Sequence, residues 1–437
     1  MSDREAGSRR YRAVFAERTS SRLWVAATIS YLGDFVGLGA LLLIAYQRSG
    51  GHALGSAAVF GVQAIPAFAV AIGLGPRLDR IPRRGGLVTL CLTGAAALAL
   101  PLLLGGLAPV LAAAAVLGGV RSAFNAIRAG VIAENVPRDV RGRLIALIST
   151  SNQVSEVFGY LAGSGIALGA GAGPALLGDA GTFAVAALLI SNLRLRVPAR
   201  SARRASMTTG IRTIFADPTL ALLAPVTWLG LSLGVLPQTL APAALAGAEH
   251  DWTPAALAGM AAGLAISATL VGRSGLGERV LGQFTFIMVN GLIFMLTSAG
   301  LTGHPLILVA GNVAIGLGTG WTVAAQTTFL LVTPPDRMAH VTGTMIGSLI
   351  VLEGAGAVAF GAVAGQWGVA AAYLAAGVML TGAGLAGYLY GRRHPQSLDT
   401  HRTESSVRDN QAAASGDERV TTKGKDPGRH SGQNASR

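Results

Sequence analysis

Cysteine occurs once in the 437 residues, at Cys91, and lysine only twice, at Lys423 and Lys425. A single thiol excludes a disulfide within the chain, and a lone cysteine in an apolar run reads as a small packing residue. Neither lysine is followed by Ser or Thr, so the Gly-Lys-Ser/Thr phosphate loop is absent and ATP hydrolysis on this chain drives nothing. The seven histidines fall in turns or the C-terminal stretch, and no pair has metal-ligand spacing. No metal and no cofactor is expected. With no nucleophile motif either, an enzyme is not expected. Charged residues make up 13% of the chain, against about 25% in a soluble domain.

What is abundant is apolar: 51% of residues are hydrophobic, and 60 are glycine. Apolar runs of twenty or more residues recur, enough to cross a hydrocarbon core of roughly 30 Å as helix. Helix is the forced choice, because open strands leave backbone groups unpaired in lipid, and no alternating barrel pattern appears. Twelve spans are expected: 23–46, 53–75, 86–105, 108–133, 144–169, 172–193, 219–245, 254–272, 280–301, 305–332, 341–366 and 368–391. The fold class is therefore an all-α membrane protein. Residues 1–22 lack the features of a signal peptide, so the first run is expected to remain as a helix. Glycines four apart, such as Gly33/Gly37, Gly159/Gly163, Gly259/Gly263 and Gly316/Gly320, read as close helix packing.

The net charge of +13 tempts a nucleic-acid reading. The arginines, however, sit in short turns between apolar runs, where the anionic cytoplasmic leaflet is the fitting partner. One side of the spans carries the arginines of residues 1–22, of 77–84, of 138–143 and of the 194–218 stretch, with Arg273, Arg279 and Arg337. The other side has Arg48 alone. The asymmetry places both termini in the cytoplasm.

The chain divides into an N-terminal tail (1–22), six spans (23–193), a linker (194–218), six spans (219–391) and a polar tail (392–437) expected to be disordered. Within the linker, 210–220 reads as a short interfacial helix ending near Pro218. Adding 197 superimposes the halves without gaps: Ile29–Leu38 falls on Val226–Val235, Gly75 on Gly272, Pro137 on Pro334 and Glu156 on Glu353. An even number of spans per half makes the repeats parallel, one of the standard transporter plans, with substrate near the midplane where the repeats meet.

Gly75-Pro-Arg-Leu-Asp-Arg-Ile-Pro-Arg-Arg84 resembles the signature turn between spans 2 and 3 of the major facilitator superfamily, Gly-x-Leu-Ala-Asp-Arg-x-Gly-Arg-Arg. It matches at Gly75, Asp79, Arg80, Arg83 and Arg84 and departs at Arg77, Leu78 and Pro82. The resemblance covers nearly all of 23–391. Leu32-Gly33-Asp34, Val136–Arg143 and Asp179-Ala-Gly-Thr-Phe183 make the chain similar to bacterial drug/proton antiporters of the macrolide-efflux type. The resemblance implies secondary transport across a bacterial cytoplasmic membrane by rocking of two six-helix halves. It implies proton-coupled efflux of an amphipathic small organic compound, by a monomer. The alternatives are proton-coupled uptake of a small metabolite and, further off, a membrane enzyme or sensor. It also implies a cytoplasmic gate formed by the signature turn, with Asp79 docking on the start of span 11 near Val341.

Asp34, Arg121, Glu156 and Glu353 fall near the midpoints of spans. A charge there costs about 2.5–3.5 kcal/mol on insertion scales, so each should face a cavity or a partner. Arg121, Asn125 and Arg128 share one face of span 4. Ser149, Gln153, Glu156 and Tyr160 share one of span 5. Asn312, Thr319 and Gln326 stripe span 10. The expected proton-coupling and cavity set is Asp34, Arg121, Asn125, Arg128, Gln153, Glu156 and Glu353, with Arg121 either a static partner or part of the coupling. Asp179 reads as structural.

Overall fold

The computed structural model describes residues 14–71, 81–193, 195, 207–248, 251–271, 279–301, 304–334 and 337–394. Fifteen α-helices run through them. The first half has α1 (Arg18–Arg48), α2 (Ala53–Ala69), α3 (Arg83–Leu103), α4 (Ala108–Asn135), α5 (Arg138–Gly169) and α6 (Ala172–Ser191). A short helix follows, α7 (Met207–Ala216). The second half has α8 (Pro218–Gly234), α9 (Leu236–Ala244), α10 (Thr253–Val271), α11 (Val280–Gly300), α12 (Pro305–Thr319), α13 (Trp321–Val332), α14 (Met338–Trp367) and α15 (Val369–Arg393).

Ten stretches are long and apolar enough to cross a membrane. Two of them are broken helices, α8 with α9 and α12 with α13. α2 is apolar but has 17 residues, and α5 has 32 residues with a polar first turn. With these two, the chain is an all-α bundle of twelve membrane helices.

The helix ends are written in the sequence. Glu17 caps α1, its carboxylate accepting from the backbone N–H of Thr19 at 3.0 Å. Asp217 caps α8 the same way, accepting from Thr219 and Leu220, with Pro218 pre-set for the first turn. Span 5 begins at Arg138, six residues before its expected start. Pro137 fixes the entry, and the polar first turns extend the helix past its apolar length.

Neither break is foreseen by hydropathy, because both pieces of each span are equally apolar. At Val235 the cause is Pro237, which lacks an N–H and cannot continue the ladder from α8. At Gly320 the backbone lies so close to Ser267 of α10 that a Cβ would overlap its hydroxyl.

The 197-residue offset recurs in the packing. Gly50 and Gly247 both turn with left-handed φ, 75° and 86°, as do Gly171 and Gly368, at 82° and 86°. Only glycine adopts that conformation freely. α3 packs on α6 through Gly94 against Phe183, and α11 on α15 through Gly291 against Thr381. α2 meets α4 where Gly118 touches the Gln63 carbonyl, and α10 meets α12 where Gly316 touches the Met260 carbonyl.

Among the described residues, the helices packed across the seam between the two sets of six are α2 with α14 and α9, α5 with α10, and α1 with α9. α8, the near half of its span, packs mainly on α7 and on second-half helices among the described residues. The near side is the face that carries residue 18 and residue 393. The contacts across the seam fall towards the opposite, Arg48-bearing side: Ser56 Oγ donates to the Thr239 carbonyl at 2.6 Å, and Gly361 abuts Ala57. The seam is closed there. Arg48 itself closes a loop, donating to the carbonyls of Pro101, Leu104 and Gly106.

Candidate functional site

A cavity of about 350 Å³ lies in the seam. α1 supplies Phe35 and Leu38, and α2 supplies Phe60 and Gln63. α4 supplies Arg121, Ser122 and Asn125, and α5 supplies Asn152, Glu156 and Tyr160. Val235 and Gln238 come from the broken span, and Ile350 and Glu353 from α14. Bare backbone brings the helices together: a Cβ at Gly354 would come within 2.4 Å of Ala64 Cβ.

Arg121 is the hub. Its guanidinium sits over the Phe35 ring, 5.2 Å from the centroid. It is the positive charge acting on Glu156 of its own half, on Glu353 of the other half, and on Asp34. Glu156 and Glu353, related by the repeat, also act on each other. Gln238 Nε2 donates to Glu156 Oε1 at 3.1 Å, a bond that crosses the seam.

Asp34 lines no part of this cavity. It occupies an adjoining pocket inside the first half with Ser30, Tyr31, Arg121, Phe124, Asn125 and Arg128. That pocket has about 10 Å³, room for about one water. Arg128 stacks over Tyr31 at 5.1 Å and acts with Arg121 on Asp34. Arg121 and Asn125 line both spaces.

The expected set therefore divides in three. Arg121, Asn125, Glu156 and Glu353 line the cavity; Asp34 and Arg128 stand behind it. Gln153 lines neither. The expected stripe on span 10 is also corrected. Asn312 is buried within the second half, donating to the Ala256 carbonyl and accepting from the Tyr373 hydroxyl. Thr319 returns its hydroxyl to the Ile315 carbonyl. The break at Gly320 interrupts the helical phase before Gln326, which is exposed. Neutral polar groups find partners inside the bundle without a water path.

Sequence reasoning missed Gln238, Gln63 and Asn152. Gln238 carried a signal, as the one amide in its span. No group of three or more His, Cys, Asp or Glu suited to a metal occurs among the described residues.

A sequence profile of the Major Facilitator Superfamily matches residues 23–345. The chain belongs to this superfamily. No curated protein matches the sequence. Among solved structures, the nucleoside transporter NupG is similar at 14% identity and a TM-score of 0.67, over 84% of this chain and 97% of that one. A bacterial homolog of the human lysosomal transporter Spinster, inward-facing and occupied, is similar at 14% identity and 0.67, over 87% and 98%. The human organic anion transporter MFSD10 is similar at 15% and 0.58, over 84% and 98%. At these identities the likeness shows the fold, that of a superfamily transporter.

Of the superfamily's signature turn, Gly75, Asp79 and Arg80 lie outside the described residues. Arg83 opens α3 and is buried, its Nη2 on Glu134 Oε1 of α4 at 2.9 Å. Gly130 leaves room for that guanidinium. Arg84 is exposed. Arg83 thus fixes α3 to the end of α4, and Glu134, its carboxylate partner, was not singled out by the sequence.

Proposed function

We propose that the protein is a secondary active transporter that exports an amphipathic small organic compound in exchange for protons by alternating access. The observation that carries this reading is the seam cavity, with Glu156 from one half, Glu353 from the other and Arg121 between them. Carboxylates placed where two rocking halves meet can bind a proton in one access state and release it in the other. Proton and compound then shift the equilibrium through their different affinities for the two states. The mixed lining, Phe35, Phe60 and Tyr160 beside Gln63 and Asn152, suits an amphipathic compound.

In this reading residues 23–193 and 219–391 are the rocking halves, joined by 194–218. The arginine asymmetry supports cytoplasmic termini in a bacterial cytoplasmic membrane. Residues 1–22 and 392–437 are then cytoplasmic tails. The protein works as a monomer, with its basic turns against anionic lipid. Proton-coupled uptake of a small metabolite is the second reading, favoured by the likeness to a nucleoside transporter.

The test is the pH change in proteoliposomes holding this protein alone under an imposed proton gradient. Protons leaving an acidic lumen as a compound enters establish antiport. Compound and protons moving together establish uptake. No proton movement with any compound rejects proton coupling.

A further inference from the structure

Asp179 of α6 is 1% exposed. Its carboxyl lies on the bare backbone of α1. A Cβ at Gly33 would come within 2.8 Å of Oδ1, and one at Gly37 would overlap Oδ2. On a helix of 3.6 residues per turn, Gly33, Asp34 and Gly37 fall within about 100° of arc, so Asp34 flanks the strip that receives Asp179. The two carboxyls act on each other electrostatically.

Among the described residues, the rest of the surroundings supply no counter-charge. Thr182 on the same helix donates to the Asp179 carbonyl at 2.8 Å and stands 3.4 Å from Oδ1. Across from α6, α3 contributes Cys91, and α4 contributes Arg121 and Arg128. The two arginines act on Asp34, Asp34 acts on the Cys91 thiol, and none of the three acts on Asp179. α5 sends no charged group to it among the described residues. An ionised carboxylate buried without a cation is costly, and two carboxylates sharing a site do not both ionise.

We propose that Asp34 and Asp179 form one proton-binding site, with a single proton held between two carboxyls behind the cavity. Its part in transport rests on the reading of Asp34 as a proton carrier. Arg121 gives the site its reach. It borders the Asp34 pocket on one side and Glu156 and Glu353 on the other. When the pair loses its proton, the new negative charge draws on Arg121, and the cavity carboxylates lose part of their shared cation. The proton state of the pair is thus felt by Glu156 and Glu353 through Arg121.

The test is an infrared titration of the purified full-length chain in lipid nanodiscs, reading the carbonyl stretch of protonated carboxyl groups with no transport substrate present. Asp34→Asn and Asp179→Asn are each expected to alter the same band. Removing either member moves the titration midpoint of the other by about one pH unit or more. A band and midpoint for Asp34 unchanged in Asp179→Asn would overturn the pair and leave Asp34 a solitary carboxyl. If Asp179→Asn does not fold, Asp34→Asn carries the test, because the Asp179 band must then move. A coupled titration in a chain that moves no proton with any compound supports the site and rejects the transport reading.

Discussion

Gln238 Nε2 donates to Glu156 Oε1 at 3.1 Å and ties the two halves together at the cavity wall. The acceptor is one of the three carboxylates around Arg121, so the bond that holds the seam also reports the charge of the site.

Gln238→Leu removes this bond. A hydrogen bond to a charged partner contributes about 1.5–3 kcal/mol, and 1.4 kcal/mol is about tenfold. The population closed on the Arg48 side should fall by about one to two orders of magnitude. A pair of spin labels on the far ends of α2 and α14 reads the distance distribution. An unchanged distribution means the bond does not hold the seam.

Gly354→Leu tests the same seam by bulk. Its backbone meets Ala64 where no side chain fits. The variant should insert and fold yet populate the far-closed state less, in the same label pair. Wild-type distances would show that α14 can slide to make room.

Arg121→Gln leaves three carboxylates without their shared cation. The expected outcome is lost transport and a lower midpoint of thermal unfolding. Arg121→Lys keeps the charge but gives up the guanidinium stack on Phe35, costing up to about 2 kcal/mol when desolvated. Equal stability of the Lys and Gln variants would remove charge from the account.

Asp34→Asn should abolish proton-coupled movement while the protein remains folded and monodisperse. Full proton movement at wild-type rate would take Asp34 out of the mechanism.

Glu134→Ala removes the carboxylate on buried Arg83. The expected loss is about 1.5–3 kcal/mol of stability, read by denaturant unfolding in detergent. A loss below a few tenths would show that Arg83 is held by its other contacts.

The membrane class, the twelve spans, the parallel repeat and the superfamily are all legible in the linear chain. Each rests on a property local in the chain or regular along it: apolar length, arginine placement, a fixed offset of 197, a turn rich in arginine. The left-handed glycines 197 apart show how literally the repeat is carried into the backbone. Placing Asp34, Arg121, Glu156 and Glu353 near midspan was likewise a matter of counting residues along helices.

Which of these charges meet depends on how the helices pack. Helical spacing fixes the face a residue occupies on its own helix and leaves open what that face meets. Glu156 and Glu353 came together because α5 and α14 border one seam, while Asp34 turned away into its own half. The partners Gln238 and Glu134 stand 82 and 51 residues from the groups they hold. Gly33 and Gly37 read as a generic packing pair, yet the space they leave is filled by Thr182 and the carboxyl of Asp179. A glycine records that something comes close. What comes close is set by how helices distant in sequence pack, and that is a property of the folded bundle.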